Sequence, residues 1–368
     1  MPTTDTHPRR ALLDLFARRG FSRVQTAILQ PAGIFLELSG EDIRRRLFLM
    51  QDAGGEELCL RPEHTIPVCR SHLASGDARG DYCYLGPVFR QRLGESGEFD
   101  QAGFESFGGP DEAAADAAAL HLGLEVLALF GPRHYLARLG DAGLLDAVFR
   151  GLEIPPPAQR RLRRALAAGH SLDAAFPAGR ESEAGDYAGL LAAIEGQDPE
   201  AARAFVEDVI SIAGLSAIGG RSAGEIAERF LSRAANRSGA VPESARATLN
   251  EYLAIDDEPE RALSRIRAFA KSARLDLENA LARAEKRVRA MAELGLDLAR
   301  CRFAASFARS LDYYTGFVFE IRDPVRADGR YVAAGGRYDR LLQHLGNPDP
   351  IPAIGCSFWL DRLGGEQP

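Results

Sequence analysis

The segment Arg309–Gly316, with the sequence Arg-Ser-Leu-Asp-Tyr-Tyr-Thr-Gly, constrains this 368-residue chain more than any other stretch. Its first six residues contain a fixed cation, a carboxylate and two phenols. An arginine can hold a ligand carboxylate through two parallel hydrogen bonds, while the other groups offer polar partners and aromatic walls. The segment therefore suits a small zwitterionic ligand. Taken alone, it is equally typical of a strand-to-turn junction with core aromatics and Arg309 in a surface ion pair.

Five other segments occur with it in a recognisable order. They are Leu60–Thr65 (Leu-Arg-Pro-Glu-His-Thr), Gly86–Arg90 (Gly-Pro-Val-Phe-Arg), Gly335–Asp339 (Gly-Gly-Arg-Tyr-Asp), Ala353–Gly355 (Ala-Ile-Gly) and Leu360–Leu363 (Leu-Asp-Arg-Leu). With them the chain resembles the catalytic domain of histidyl-tRNA synthetase, a class II aminoacyl-tRNA synthetase. The resemblance extends from Gly20 to Leu363, and its most specific element is Leu311–Gly316.

This resemblance implies an α+β fold, in which a class II aminoacyl-tRNA synthetase-like antiparallel sheet is flanked by helices and carries an all-α insertion. The residue pattern predicts a hairpin of two strands, Asp81–Gln91 and Phe99–Phe107, joined by the turn Gly94–Gly97. Because side chains alternate along a strand, Gln101 and Glu105 should share one face of the sheet. Further strands are predicted near Val24–Leu29, Arg46–Gln51, Glu57–Leu60, His134–Leu139, Cys301–Phe307, Phe317–Ile321 and Ala353–Leu360.

Composition divides the chain into three parts. Residues 1–150 should form the first part of the synthetase-like core, residues 151–300 a helical insertion and residues 301–368 the second part of the core, with no anticodon-binding domain. Pro155-Pro156-Pro157 marks the first boundary. Helices of the insertion are predicted near Glu200–Ala213, Ala223–Arg233, Glu243–Ala254, Glu260–Ala270 and Leu275–Leu294. Its arginines at 160, 161, 163 and 164 suit RNA, but their pattern favours a solvated helix face.

The loop after Arg90 departs from the synthetase pattern. Phe-Arg-x-Glu of the second class II motif becomes Phe-Arg-Gln-Arg with Arg92, and the arginines of the following loop become Glu95 and Gly97. A loop over a triphosphate needs positive charge, which Glu95 and Glu98 oppose. The resemblance therefore implies that Arg90 and Arg362 belong to a vestigial nucleotide site. A shifted alignment in this variable loop is the alternative.

The residues that the resemblance assigns to an amino acid are retained. It maps Glu63 and Thr65 to the α-amino group, Gln101 and Glu105 to the amino group and imidazole, Arg309 to the carboxylate, and Tyr314 and Tyr338 to the ring. Tyr313 completes this predicted histidine-binding set. For Glu63 and Thr65 the alternative is a helix N-terminus that begins at Pro62. His64 replaces the expected glycine beside the amino-group contact.

A retained amino-acid pocket beside an altered ATP loop resembles the family of ATP phosphoribosyltransferase regulatory subunits. The resemblance implies a non-catalytic subunit that activates a short-form catalytic subunit at the first step of histidine biosynthesis. It also implies L-histidine as the feedback effector, and a homodimer within a hetero-oligomer. One alternative is an enzyme, a shortened histidyl-tRNA synthetase-like ligase that forms an aminoacyl adenylate. Another is an assembly protein with a vestigial pocket.

Composition agrees with a cytoplasmic globular protein. The chain is 46% hydrophobic and 26% charged, and no apolar stretch follows a basic region at its start. A formal charge of −7 and a pI near 5.6 do not provide the basic surface expected for tRNA, so no nucleic-acid partner and no membrane partner are predicted. The five cysteines lack metal spacing and should be buried free thiols. The sequence assigns no catalytic residue, cofactor or metal.

Overall fold

The computed structural model describes most of the chain. The described residues are 6–39, 44–131, 134–176, 204–205, 208, 241, 243–309, 313–326 and 328–363. The chain forms two compact units, Met1–Val148 with Glu251–Pro368, and Phe149–Asn250. The smaller unit ends 50 residues before the predicted end of the insertion at residue 300, because the chain from Glu251 onward belongs to the larger unit. The three-part division of the sequence remains a prediction.

All described strands lie in the larger unit. They are β1 (Ser22–Arg23), β2 (Leu29–Pro31), β3 (Leu49–Gln51), β4 (Glu57–Leu60), β5 (Gly80–Phe89), β6 (Glu98–Phe107), β7 (Leu136–Asp141), β8 (Asp256–Asp257), β9 (Cys301–Ala304), β10 (Phe317–Arg322), β11 (Tyr331–Arg337) and β12 (Ala353–Trp359). Nine strands form one sheet in the order β1-β5-β6-β12-β11-β10-β7-β9-β8, and β2-β4-β3 form a second. The large sheet is antiparallel except where β1 meets β5 and β7 meets β9.

The described helices are α1 (Thr6–Arg18), α2 (Ala32–Ser39), α3 (Thr65–Ser75), α4 (Glu112–Ala128), α5 (Ala142–Gly151), α6 (Pro156–Ala167), α7 (Leu172–Ala175), α8 (Glu243–Leu253), α9 (Pro259–Ala273), α10 (Glu278–Glu293) and α11 (Leu341–His344). The alanine-rich α4 begins after Asp111, whose carboxylate accepts the N–H groups of Ala113 and Ala114. Helix α3 ends at Gly76, where a φ of +73° favours glycine. These elements confirm the predicted α+β class and the β5–β6 hairpin.

Three local predictions were wrong. The segment predicted as one strand, Val24–Leu29, instead follows β1, which ends at Arg23, and is irregular until β2 begins at Leu29. Helix α3 begins at Thr65 rather than Pro62, because the Glu63 carboxylate accepts the first free N–H groups. Strand β11 was missed, since its glycines weaken the strand pattern. The predicted helices Glu200–Ala213 and Ala223–Arg233 lie outside the described residues, apart from 204–205 and 208.

In the smaller unit, α6 is a short amphipathic helix. Ala158, Leu162 and Leu166 are its buried residues. Arg161 lies over the ring of Phe176 with its guanidinium carbon 4.7 Å from the ring centre. This arginine of the basic run thus has an aromatic partner within its own unit.

In the larger unit, an aromatic core underlies the face of the sheet that carries the predicted site. Tyr84, Tyr313 and Tyr338 belong to it together with Phe35. All five cysteines are buried and unpaired, as predicted. Within the described ranges, no helix is long and apolar enough to span a membrane. The same ranges contain no cluster of three histidine, cysteine or acidic side chains fit to hold a metal ion.

Candidate functional site

A cavity of about 80 Å³ lies at one face of the large sheet in the larger unit. Six of the predicted histidine-binding residues line it: Glu63, Thr65, Gln101, Arg309, Tyr313 and Tyr314. Arg90, predicted for the nucleotide site, also lines it. Five polar or aromatic lining residues were not predicted: Phe35, Arg46, Tyr331, Ser357 and Trp359. The structure therefore brings the centre of the predicted site together around a space suited to a small polar molecule.

Gln101 is the lining residue with the most conspicuous lack of partners. It lies on β6, opposite Gly86 of β5 and Trp359 of β12, and is 1% exposed. Among the described residues, neither its Oε1 nor its Nε2 has a hydrogen-bond partner. Burying a primary amide without partners is unfavourable by about 1–3 kcal/mol. Such an amide is typical of a binding site that a polar ligand completes.

Arg309 supplies a buried cation to the same cavity. Its guanidinium carbon is 4.7 Å from the centre of the Tyr331 ring, and its Nη1 is 3.7 Å from Glu320 Oε2. The surface ion pair that the sequence left open is therefore not observed, because both charged side chains are buried. Within the described chain, Arg309 Nε has no acceptor. That N–H remains free to donate to a ligand carboxylate.

Glu105 lies behind the cavity wall rather than in it. Its Oε1 accepts hydrogen bonds from Thr65 Oγ1 at 2.7 Å and from the Tyr84 hydroxyl at 3.3 Å. Its Oε2 accepts the hydroxyl of Tyr338, which places Tyr338 in the same buried cluster. Burial raises the pKa of Glu105 to about 8, although these hydroxyl contacts oppose the shift. The carboxyl group thus reaches the cavity through Thr65.

The position of Glu105 requires the glycine opposite it. Gly355 on β12 pairs with Glu105 on β6. A Cβ atom at residue 355 would lie only 1.6 Å from Glu105 Oε2. The Ala-Ile-Gly segment noted in the sequence therefore provides the space for this carboxyl group.

Glu63 and Thr65 lie at the start of helix α3 and also line the cavity. The Glu63 carboxylate accepts the N–H of Thr65 at 2.6 Å and that of Ile66 at 2.9 Å, so it caps α3 while lining the cavity. Burial raises the pKa of Glu63, with these N–H groups and Arg90 opposing the shift. The ring of His64 stacks on Tyr84 at 4.5 Å, and its Nε2 lies 3.3 Å from Gly86 O.

Tyr314 is positioned by the backbone that follows it. Thr315 N–H donates to Arg337 O at 2.9 Å, and Thr315 Oγ1 accepts the N–H of Asp339 at 3.1 Å. The Gly335–Asp339 segment thus holds the Tyr-Thr-Gly turn against the sheet. Tyr313 and Tyr314 lie 5.0 Å apart between ring centres and form the aromatic wall of the cavity. Asp312 lies outside the described residues.

The predicted nucleotide residues meet at Tyr331. The Arg362 guanidinium carbon lies 5.1 Å from the ring centres of both Tyr331 and Trp359, and Arg90 Nε donates to Pro62 O at 2.6 Å. Burial alone would raise the pKa of the Tyr331 phenol, but Arg309, Arg90 and Arg362 together lower it below its ordinary value. The cavity therefore has a strongly positive side.

Arg92 and Glu95 in the hairpin loop after Arg90 form ion pairs with each other and with residues outside the loop. Arg92 Nη1 lies 3.0 Å from Glu95 Oε2 and 3.3 Å from Asp361 Oδ2. Arg330 Nη1 lies 2.5 Å from Glu95 Oε1, and the Arg92 guanidinium carbon lies 3.9 Å above the Phe99 ring. The residues that depart from the synthetase pattern therefore form a paired network.

Three residues in or near the cavity wall were not predicted, although the alternation of side chains along their strands indicates their positions. Ser357 and Trp359 alternate with Gly355 on the predicted last strand, which places them on the face of Glu105 and Gln101. Tyr84 lies opposite Gly103, where a Cβ atom would come within 2.3 Å of its hydroxyl. The alternation was a usable signal for these three residues.

The chain was compared with known families and structures. A family model described as histidyl-tRNA synthetase matches residues 3–218 and 220–363. A solved structure from Bacillus halodurans C, described as an ATP phosphoribosyltransferase regulatory subunit/histidyl-tRNA synthetase, aligns with a TM-score of 0.68 at 20% identity, covering 97% of this chain and 77% of that one. Histidyl-tRNA synthetase from Nostoc sp. PCC 7120 aligns with a TM-score of 0.63 at 16% identity, covering 97% and 69%. The fold is that of a class II histidyl-tRNA synthetase.

Relatives with similar sequences define the family more narrowly than the fold does. An ATP phosphoribosyltransferase regulatory subunit from Chelativorans sp. (strain BNC1) is 42% identical over 369 residues, which cover 97% of both chains. One from Allorhizobium ampelinum is 41% identical over 372 residues, covering 96% of this chain and 95% of the relative. The chain belongs to the family of ATP phosphoribosyltransferase regulatory subunits, and thus to histidine biosynthesis.

Proposed function

We propose that this chain activates a short-form ATP phosphoribosyltransferase catalytic subunit and binds L-histidine as a feedback inhibitor, without catalysing a reaction itself. The observation that carries the proposal is the pair of buried, unpartnered groups at one cavity, the Gln101 amide and Arg309 Nε. An amide and a guanidinium suit an amino acid, because it presents an ammonium and a carboxylate at a fixed separation.

In the proposed complex, the ligand carboxylate lies against Arg309 and its ammonium near Glu63 and Gln101. The imidazole lies against Tyr314 and approaches Thr65. Glu105 accepts hydroxyl groups at both of its oxygens, so the ring contacts it directly only if a hydroxyl turns aside. Otherwise Thr65 relays the contact. Both arrangements favour a ring with an N–H donor.

A titration followed by Trp359 tests ligand binding. This residue is the only tryptophan of the sequence and lines the cavity, so its fluorescence should change when histidine binds. Histidinol, which lacks the carboxylate, should bind more weakly than histidine. Calorimetry provides the affinity independently of fluorescence. An isolated chain with no response to histidine in either measurement would contradict the sensing role.

An activity assay tests the partnership. The purified chain should raise the turnover of a short-form catalytic subunit, and histidine should inhibit the mixture more strongly than the catalytic subunit alone. The control is the same mixture with an unrelated acidic protein at equal concentration. A catalytic subunit with unchanged turnover would contradict the activating role.

We also propose a homodimer within the hetero-oligomer, supported by the small sheet β2-β4-β3. Ile28, Leu29, Leu49 and Met50 on or beside its outer strands are 37–50% exposed. A cluster of exposed apolar side chains on one sheet is typical of a protein interface. Leu29→Asp with Met50→Asp should shift the sedimentation coefficient from dimer to monomer, whereas Leu136→Asp, another exposed leucine, should not. A monomeric unmodified chain would contradict the dimer.

The second candidate is a ligase that forms histidyl adenylate, favoured by the convergence of Arg90, Arg309 and Arg362 on Tyr331. A cationic side of the cavity suits a phosphate. Against it, the charges of the neighbouring loop are engaged in ion pairs. Histidine-dependent exchange of pyrophosphate into ATP separates the two functions, and we expect none.

A further inference from the structure

A buried chain of alternating charges connects helix α10 with the wall of the cavity. Arg287 on α10 contacts Asp116 Oδ2 at 2.7 Å and Asp141 Oδ2 at 2.6 Å. Asp116 also contacts Arg337 at 2.6 Å, and Arg337 contacts Asp339 at 2.9 Å. The side chains of the first four residues are at most 6% exposed. Arg287 therefore joins elements far apart in sequence within one desolvated network.

Both arms of the network end at the turn that follows Tyr314. On one arm, Arg337 O accepts the N–H of Thr315, and Asp339 N–H donates to Thr315 Oγ1. On the other arm, Ala142, directly after Asp141, donates its N–H to Gly316 O at 2.8 Å. The Arg287 guanidinium carbon also lies 4.9 Å from the centre of the Phe317 ring. The turn is thus held from two sides by backbone atoms adjacent to the buried charges.

Buried ion pairs of this kind specify geometry more than they stabilise a fold. Desolvating the charges opposes their attraction, so an apolar set of similar volume is often as stable. A bidentate guanidinium, however, fixes the distance and orientation of its two carboxylates. Here the two carboxylates belong to α4 and to the end of β7.

We propose that Arg287 is a positioning residue for the histidine pocket, setting the placement of Tyr314–Gly316 and through it the affinity for the ligand. The ion pairs of Arg287 and the hydrogen bonds of the turn support the positioning role, while the link to affinity rests on the proposed function.

The test compares neighbouring residues of α10. Arg287→Met removes both aspartate contacts, whereas the control Lys286→Met removes one exposed ion pair with Asp111. In case Arg287→Met alone fails to fold, Arg287→Met with Asp141→Asn removes the charge left uncompensated. Asparagine can still accept the N–H of Leu144, which Asp141 Oδ1 caps. Arg287→Lys should restore part of the function.

Two readouts separate positioning from stability. Hydrogen–deuterium exchange at the Thr315 and Ala142 amides, which donate to Arg337 O and Gly316 O, should accelerate at least about tenfold in folded Arg287→Met, but not in Lys286→Met. Histidine affinity should fall at least about tenfold in the same variant. Unchanged exchange in the folded variants overturns the positioning role. Accelerated exchange with wild-type affinity overturns the link to the pocket, whereas an unmodified chain that binds no histidine overturns the proposed function and, with it, that link.

Discussion

Gln101 on strand β6 and Arg92 in the loop before that strand belong to one hairpin, but their polar groups differ in their partners. Gln101 is buried, and both of its amide atoms lack partners within the described chain, as does Nε of Arg309 nearby. Arg92 is partly exposed and contacts Glu95, Asp361 and the Phe99 ring. A fold tolerates unpartnered buried groups where a ligand supplies the missing contacts. This difference supports the proposal that Gln101 takes part in recognition, whereas the loop around Arg92 has a structural role.

The largest expected effect is a pH dependence of the free energy of unfolding, caused by Glu105 behind the cavity wall. The folded pKa of Glu105 is about 8, above its ordinary value of 4.5. The folded chain therefore keeps a proton that the unfolded chain releases between these values, so the stabilisation is complete below about pH 4.5 and is lost as pH rises toward 8. The free energy of unfolding should fall by up to about 4–5 kcal/mol from this group. Urea unfolding across this range provides the measurement.

Glu105→Gln isolates that contribution, because glutamine does not titrate. His64 has the opposite effect at lower pH: burial lowers its pKa to about 3, so the unfolded chain takes up a proton that the folded chain excludes. His64 is present in both proteins, so its contribution cancels when their free energies of unfolding are subtracted. Equal slopes in the two proteins between pH 5 and 8 would contradict a raised pKa for Glu105.

The second largest effect is a loss of histidine affinity, expected when Arg309 is replaced but not when Arg92 is replaced. Removing one partner of a buried charge-assisted contact typically costs about 1.5–3 kcal/mol, or roughly ten- to a hundredfold in affinity. Arg309→Ala should weaken histidine binding by that factor in calorimetry, whereas Arg92→Ala should leave it unchanged. Arg309→Ala should also abolish the preference for histidine over histidinol, because the carboxylate no longer has its partner. A preference that persists in Arg309→Ala would place the carboxylate elsewhere.

The sequence predicted the members of the site better than their contacts. Alternation along β6 was enough to place Gln101 and Glu105 on one face of the sheet. The strand is regular there, because it pairs with β5 on one side and with β12 on the other. It was not enough to show that Glu105 would be engaged by Thr65, Tyr84 and Tyr338, because these hydroxyls come from α3, β5 and the end of β11. Likewise, the sequence alone predicts that Arg92 and Glu95 depart from the synthetase pattern. Their pairing with Asp361 and Arg330 depended on long-range packing that no local pattern contains.

A smaller effect concerns the hydroxyl contacts of Glu105. Tyr338→Phe removes the donor to Oε2 and should destabilise the fold by about 0.5–1.5 kcal/mol, the typical net contribution of one hydrogen bond. The loss should be greater near pH 8 than near pH 6, because the ionised carboxylate depends more on its donors. A double-mutant cycle with Glu105→Gln, followed by urea unfolding, measures the coupling. Purely additive changes would contradict a direct contact between the two side chains.

The smallest effect is expected at the loop. Pairs such as Arg92–Glu95 and Arg330–Glu95, with side chains 16–46% exposed, typically contribute about 0.2–1 kcal/mol, because solvent screens them and ordering two long side chains opposes them. Glu95→Gln should therefore lower the free energy of unfolding by no more than about 1 kcal/mol at low salt, and by almost nothing in about 1 M salt. Arg44, whose pair with Glu57 is of similar exposure, supplies a control variant, Arg44→Gln. Histidine affinity should be the same in both variants and in the unmodified chain. A large loss of affinity in Glu95→Gln alone would show that the loop takes part in recognition, and the proposed division between cavity and loop would no longer hold.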